Sequence, residues 1–327
     1  MAGDSSASSV GSASSAVPKM ALRDAYSHAL VELGRKRPDV VVLDADLALS
    51  TKTKRFGTVY PDRFFDIGIA ELNLMGVAAG LATAGKTVFA STFATFAAGQ
   101  PYNVIRQSIA YAKLNVKIVA THAGLSVGGD GATHQMLEDL SLMRGLPNMR
   151  VFAPADGPEM ESCIMAIAEV HGPCYVRCGR EDAPILPGSP YPFEIGKAVT
   201  LREGADVTLV GCGTMVWECL QAAETLAHEG ISARVLNMHT IKPLDEDAVL
   251  RAARETNGIV TAEEHMIAGG LGSAVAELLG ERHPKAMRRV GVRDSFGESG
   301  EPKELMAKYG CTRKEVAEKA REIVGKP

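Results

Sequence analysis

The sequence predicts an α/β protein built from two doubly wound domains, the first larger than the second. Three observations carry that expectation. Short apolar, β-rich runs recur along the chain, and helix-period stretches separate them. A proline-dense segment at 184–192, PILPGSPYP, divides them into two series. Buried apolar strands alternating with helices mark parallel sheets covered on both faces.

In the first series, strands are expected at 40–43, 64–67, 87–90, 116–120, 149–152 and 174–177. Helices are expected at 22–33, 72–82 and 159–170. The proline density at 184–192 forbids regular helix and interior strand, so this segment reads as a linker. The second series repeats the alternation on a smaller scale, with strands at 207–211, 233–237, 258–261 and 288–292. The expected division is a tail at 1–18, a first domain at 19–187 and a second at 193–327. The tail is rich in Ser, Ala and Gly and has neither a basic nor an apolar block. That composition predicts disorder and argues against a secretory signal.

Composition narrows the function classes. The 327 residues suffice for two domains, and 46% hydrophobic with 23% charged residues fits a globular protein. A formal net charge of -4 gives no support to nucleic-acid or membrane-surface partners. No apolar run is long enough for a bilayer. The six cysteines (163, 174, 178, 212, 219 and 311) form no C-x-x-C pair, so reduced, buried thiols and a cytoplasmic location are expected, without zinc.

Glycine-rich spots invite nucleotide readings that fail on spacing. Gly211-Cys212-Gly213 lacks the third glycine of a dinucleotide fingerprint, which would fall at Val216, and reads as a strand-to-helix turn. Gly269 to Gly272 reads as a helix start. Gly129-Asp130-Gly131 could open the GDG…N motif that binds magnesium and diphosphate in thiamine-diphosphate enzymes. The stretch where its asparagine belongs reads PADGPEMES, so no metal site is expected on this chain.

Three strings place chemistry at strand ends. In DIGIAELN, Glu71 falls in the first turn of a helix after an apolar strand, where the helix terminus favours a carboxylate. By spacing alone it reads equally as an ordinary first-turn glutamate. In STFATF, Phe93 and Phe96 lie three apart in a chain with nine phenylalanines and could wall a flat ligand or simply pack in the core. In THAGLSVGGDGATHQ, a strand delivers His122, and a glycine-rich loop presents Asp130 and His134 as acid/base and hydrogen-bonding candidates. A metal site there is disfavoured by the spacing.

Taken in order with ADLALS and CGRE, these strings resemble the pyrimidine-binding domain of transketolase. The segment around Ile241-Lys242-Pro243-Leu244-Asp245 resembles the transketolase C-terminal domain. The resemblance spans nearly everything from Lys19 onward and identifies the chain as similar to the C-terminal subunit of a split transketolase. It implies thiamine diphosphate as cofactor, with Mg2+ and the diphosphate held by a separate N-terminal subunit, in a heterotetramer. It also implies a place in carbohydrate metabolism such as the pentose phosphate pathway.

The resemblance also implies residue roles. Glu71 matches the glutamate that hydrogen-bonds the aminopyrimidine and favours its imino tautomer. Phe96 matches the aromatic stacked on that ring, and Phe93 its neighbour; a third family aromatic falls at Gly99. Arg23, Ser50, His122 and Arg180 match the residues that grip a sugar phosphate, with Arg180 preferred over Arg177 on the CGRE string. Asp130 matches a reader of hydroxyl configuration, and His134 a contact to the reacting oxygen. Asp46 is expected to support the site from behind. The implied reaction moves a two-carbon ketol unit from a ketose phosphate to an aldose phosphate. Competing expectations are a 2-oxo-acid dehydrogenase beta subunit, a deoxyxylulose-phosphate-synthase-like carboligase, and a non-catalytic binding module that retains the fold.

Overall fold

The computed structural model describes residues 17–325. Residues 1–16 of the expected tail lie outside the described residues. The first domain is built on a seven-stranded sheet. From one edge to the other its strands are Thr240–Lys242, Arg150–Phe152, Cys174–Arg177, Val116–Thr121, Thr87–Phe93, Val40–Asp44 and Phe64–Asp66. All neighbours run parallel except Thr240–Lys242, which pairs antiparallel with Arg150–Phe152.

Period two along the strands explains why the sheet is covered on both sides. Val40 and Val42 face a cluster with Leu30, Phe89, Met160 and Ile164, under the helices Leu22–Lys36 and Gly157–Ala168. Val41 and Leu43 point the other way, into a cluster with Leu74, Met75, Ile105 and Ile109 under the helix Glu71–Thr83. Each fully buried aliphatic side chain of this kind contributes about 1.5–3 kcal/mol of transfer free energy.

The second domain carries a five-stranded sheet ordered Met287–Val292, Ile259–Met266, Val207–Gly211, Ala233–Asn237 and Val199–Arg202, with only the last strand antiparallel. Its helices include Met215–His228, Glu246–Glu255 and Leu271–Arg282. As the spacing at 211–213 suggests, the chain turns directly from a strand at Gly211 into the helix beginning at Met215.

Four strands escape the sequence reading. Lys19–Ala21 pairs antiparallel with Asp182–Pro184, closing the first domain on itself. Val199–Arg202 forms the outer edge of the second sheet. Thr240–Lys242 leaves the second domain to complete the first domain's sheet, and one apolar cluster runs from Leu74 and Val88 through Ile241 to Val249 and Val275. The two sheets are thus welded by shared packing. The proline-rich segment carries no regular structure beyond Pro184, yet it is tied down. Leu186 N donates to Asp156 Oδ2 at 2.8 Å, and Asn237 Nδ2 donates to Tyr191 Oη at 2.8 Å. The six cysteines are buried and unpaired. No helix among the described residues is long and apolar enough to cross a membrane.

Candidate active site

The site is assembled at the carboxyl edge of the seven-stranded sheet. From Val40–Asp44 the chain steps outward to Phe64–Asp66, then returns to Thr87–Phe93 on the opposite side. A reversal of this kind opens a crevice above the strand ends. Asp66 Oδ1 pins the crevice rim by accepting from the backbone N–H groups of Asp46 and Gly68, each at 3.0 Å. Gly68 adopts φ 78°, a conformation that costs a glycine little. The chain then enters the helix Glu71–Thr83, which packs against the Thr87–Phe93 strand. Glu71 is the first residue of that helix and is buried, while its neighbours Ile69 and Leu72 are 82% and 52% exposed.

Beside it stands an aromatic wall. Parallel pairing sets Phe93 against Thr121, which brings His122 alongside. The Phe93 and His122 rings stack with centroids 3.7 Å apart, and Phe93 and Phe96 lie near-parallel at 5.9 Å. His134 meets Phe96 edge-on at 5.4 Å and Phe93 at 6.3 Å. The loop therefore folds back, and His122 and His134 come to the same ring although twelve positions separate them. Where a third aromatic was expected, a Cβ at Gly99 would lie 2.7 Å from Thr95 O. Close backbone approach occupies that place, and Tyr102 instead donates to Leu142 O at 3.2 Å.

His122 sits at φ 58°, in the left-handed region that non-glycine residues seldom adopt. Its Nδ1 pairs with Thr121 Oγ1 at 2.9 Å. Burial pushes its pKa from the ordinary 6.5 down to about 3, and the charges of Arg23, Arg180 and His134 add to that. Arg23 Nη1 donates to Ser50 O at 3.2 Å, joining two more of the expected residues, and its buried Nε has no partner among the described residues. Arg180 Nη1 donates to Val127 O at 2.6 Å, which ties it to the glycine-rich loop. A neutral imidazole and two guanidinium groups whose charges act on it are groups that suit a tetrahedral anion. Asp130 is exposed at the end of the turn Leu125–Asp130.

Two residues fall away from this group. Asp46 takes φ 59°, and its side chain is exposed. The buried carboxyl is Asp44, which accepts from Leu47 N and Thr51 Oγ1 at 2.7 Å and from Thr53 Oγ1 at 2.8 Å. Burial raises its pKa to about 6. The sequence signal was the pair D-A-D, whose two carboxylates lie two apart and share one face by strand alternation, so alternation does not pick out the first. Arg177 lies inside the protein, paired with Asp139 at 3.1 Å and donating to Met136 O and Glu264 O. Among the described residues no group of three or more His, Cys, Asp or Glu side chains is arranged to hold a metal.

Family models for the transketolase pyrimidine-binding domain and the transketolase C-terminal domain match residues 18–185 and 196–316. A Methanocaldococcus jannaschii protein named as a transketolase C-terminal section is 47% identical over 308 residues, covering 93% of this chain and 96% of that one. A Clostridium 6-deoxy-6-sulfo-D-fructose transketolase subunit is 46% identical over 302 residues, covering 92% and 94%. Human transketolase is 36% identical, with 94% of this chain matching 50% of that protein. Among solved structures, a split gene transketolase, described as an inactive beta4 tetramer, superposes with a TM-score of 0.88 at 52% identity over 94% of this chain and 99% of that one. The chain therefore belongs to the transketolase family, as a split-transketolase subunit that carries the pyrimidine-binding and C-terminal domains.

Proposed function

We propose that this subunit forms the pyrimidine half of a thiamine-diphosphate-dependent transketolase, completed by a separate chain that holds Mg2+ and the diphosphate. The carrying observation is the run of side chains along one sheet edge: a buried carboxyl at a helix start, an aromatic wall, and the imidazole of His122 stacked on that wall. These fit the two ends of the chemistry. Glu71 and the rings of Phe93 and Phe96 match the polar edge and flat face of an aminopyrimidine. Thiamine diphosphate, when bound, supplies the electron sink that carbon–carbon cleavage needs.

This chain's own residues then bind, orient and move protons. Glu71 would hold a proton at a ring nitrogen of the pyrimidine, and Phe96 and Phe93 would wall its flat face. Arg23, Ser50, His122 and Arg180 take the anionic end of the sugar, His122 acting as a neutral hydrogen-bonding group. Asp130 reads a hydroxyl, and His134 hydrogen-bonds the reacting oxygen. Asp46, outside this group, has no role in the scheme. The anion cluster suits phosphate, and a sulfonate such as that named for the Clostridium relative presents the same three-oxygen face. The substrate class is therefore ketoses and aldoses carrying a terminal anion.

The test is reconstitution. Co-purified with a chain carrying GDG…N, the subunit should transfer a ketol unit only when thiamine diphosphate and magnesium are supplied. Alone it should be inactive, as is the beta4 tetramer of the 52% identical relative. Glu71→Ala should leave the complex assembled and lower turnover by about 10²-fold or more, the range of positioned acid–base groups. Full activity in that variant overturns the assignment of Glu71.

A further inference from the structure

The glycine-rich loop that carries Asp130 and His134 is held from behind by the second domain. Three of its glycines have positive φ: Gly124 at 92°, Gly128 at 78° and Gly131 at 77°. Each backs onto that domain. A Cβ at Gly124 would lie 2.3 Å from Glu264 Oε1, one at Gly128 3.0 Å from Pro302 Cγ, and one at Gly131 2.5 Å from Ser299 Oγ. These glycines therefore admit a neighbouring domain, and no phosphate cradle is needed to explain them.

Two polar side chains fix the loop within that close fit. Glu264 lies within the buried stretch of the Ile259–Met266 strand and is 3% exposed. Its Oε1 accepts from Ser126 N at 2.6 Å, and its Oε2 accepts from Thr214 Oγ1 at 3.0 Å. At the other end, Gln135 Nε2 donates to Leu125 O at 3.3 Å, Gly128 O at 3.2 Å and Glu298 O at 2.8 Å. The short helix Pro302–Lys308 packs directly on the turn between them.

We propose that Glu264, with Gln135, is a positioning residue for the substrate loop, and that holding this loop is a task of the C-terminal domain in catalysis. The proposal rests on the functional reading above for its catalytic half only. A buried carboxylate that accepts a backbone N–H loses far more than one contact when truncated, because the N–H is left without a partner. The loop then loosens while Glu71 and Phe96, on other strand ends, keep their supports.

The experiment has two arms. In the first, hydrogen–deuterium exchange is followed in the full chain. Glu264→Ala and Gln135→Ala should each raise exchange over 124–135 by at least tenfold, leaving the Val116–Thr121 strand within twofold of wild type. In the second, the reconstituted enzyme is assayed. Glu264→Ala should raise KM for an anionic ketose donor by at least tenfold, with the apparent Kd for thiamine diphosphate changed by less than twofold. Glu264→Gln, which keeps an acceptor for Ser126 N, should restore KM to within about threefold of wild type. Unchanged loop exchange in both alanine variants overturns the clamp. Equal factors on KM and cofactor Kd, or no rescue by glutamine, overturn the positioning role. A wild-type complex without ketol transfer would sink the functional reading while leaving the exchange arm to judge the clamp by itself.

Discussion

Arg177 and Arg180 lie three positions apart, and exchanging either for methionine should give opposite phenotypes. Arg177 is buried, its guanidinium held by Asp139, Met136 O and Glu264 O, and Asp139 also accepts from Tyr175 Oη at 3.0 Å. Asp139 is fully buried, so Arg177→Met strands a carboxylate away from water. Breaking a buried pair in this way costs about 3–5 kcal/mol. At about 2.1 cal/mol/K of unfolding entropy per residue, 327 residues give roughly 0.7 kcal/mol per degree, so Tm should fall by about 4–7 °C. Adding Asp139→Leu removes the stranded charge, and the double variant should be less destabilised than the sum of the two single ones by about 1 kcal/mol or more. Arg180 is half-buried, and among the described residues its guanidinium donates from Nη1 to Val127 O. Arg180→Met should leave Tm within about 2 °C, as surface-type substitutions do. In the reconstituted enzyme it should lower kcat/KM for phosphorylated donors by about 10–100-fold, the worth of a charged hydrogen bond. Unphosphorylated donors should lose much less. Calorimetry and steady-state kinetics decide it. Additive single variants at 177 and 139, or equal losses on both donor classes at 180, would refute the division between a structural and a substrate-facing arginine.

Two further outcomes follow from the geometry. His122 should stay neutral across the working range. Its folded pKa lies below its ordinary value of 6.5, at about 3, so the unfolded chain binds more protons between those limits, and this residue's contribution to stability is lost as pH falls from about 6.5 toward 3. Its imidazole resonances should not titrate between pH 5 and 8, and His122→Asn should flatten the acid side of the stability profile; an NMR midpoint near 6.5 contradicts the burial argument. Second, Ile69 and Leu72 expose apolar surface on either side of the buried Glu71, so Ile69→Asp with Leu72→Glu should abolish co-purification with the diphosphate-binding chain while leaving Tm within about 2 °C. Undiminished co-purification places the interface elsewhere.

The regular core was readable because strand burial is written locally. Val40–Asp44 and Val207–Gly211 are buried at every position, and a continuous apolar run announces that without any knowledge of neighbours. The edge strands were not readable for the converse reason. Val199–Arg202 is half-buried throughout, and Thr240–Lys242 is three residues long and becomes a strand only by pairing with a sheet made by another part of the chain. Among site residues, Glu71 and His122 follow directly from strand ends. Asp44 and Asp46 could not be told apart, since the left-handed turn at Asp46 reverses which side chain faces inward. Glu264 contacts Ser126 across 138 positions, and its only local trace is a run of charge, Glu263-Glu264-His265, at the end of an apolar strand.

The supports of the site also bear on why a transketolase can be divided between two genes. Glu71 is placed by a loop that Asp66 pins, His122 by the strand ending at Thr121, and the loop bearing Asp130 and His134 by Glu264 and Gln135. Every one of those contacts lies within this chain. The antiparallel strand Thr240–Lys242 and the apolar cluster shared by both sheets fix the second domain against the first. A break on the amino-terminal side of these two domains therefore leaves these supports intact. On the proposed reading it removes the diphosphate end of the cofactor, which association of the second chain restores. A break between the two domains would be of another kind, since it would leave Ser126 N without its acceptor and the glycines of the loop facing empty space.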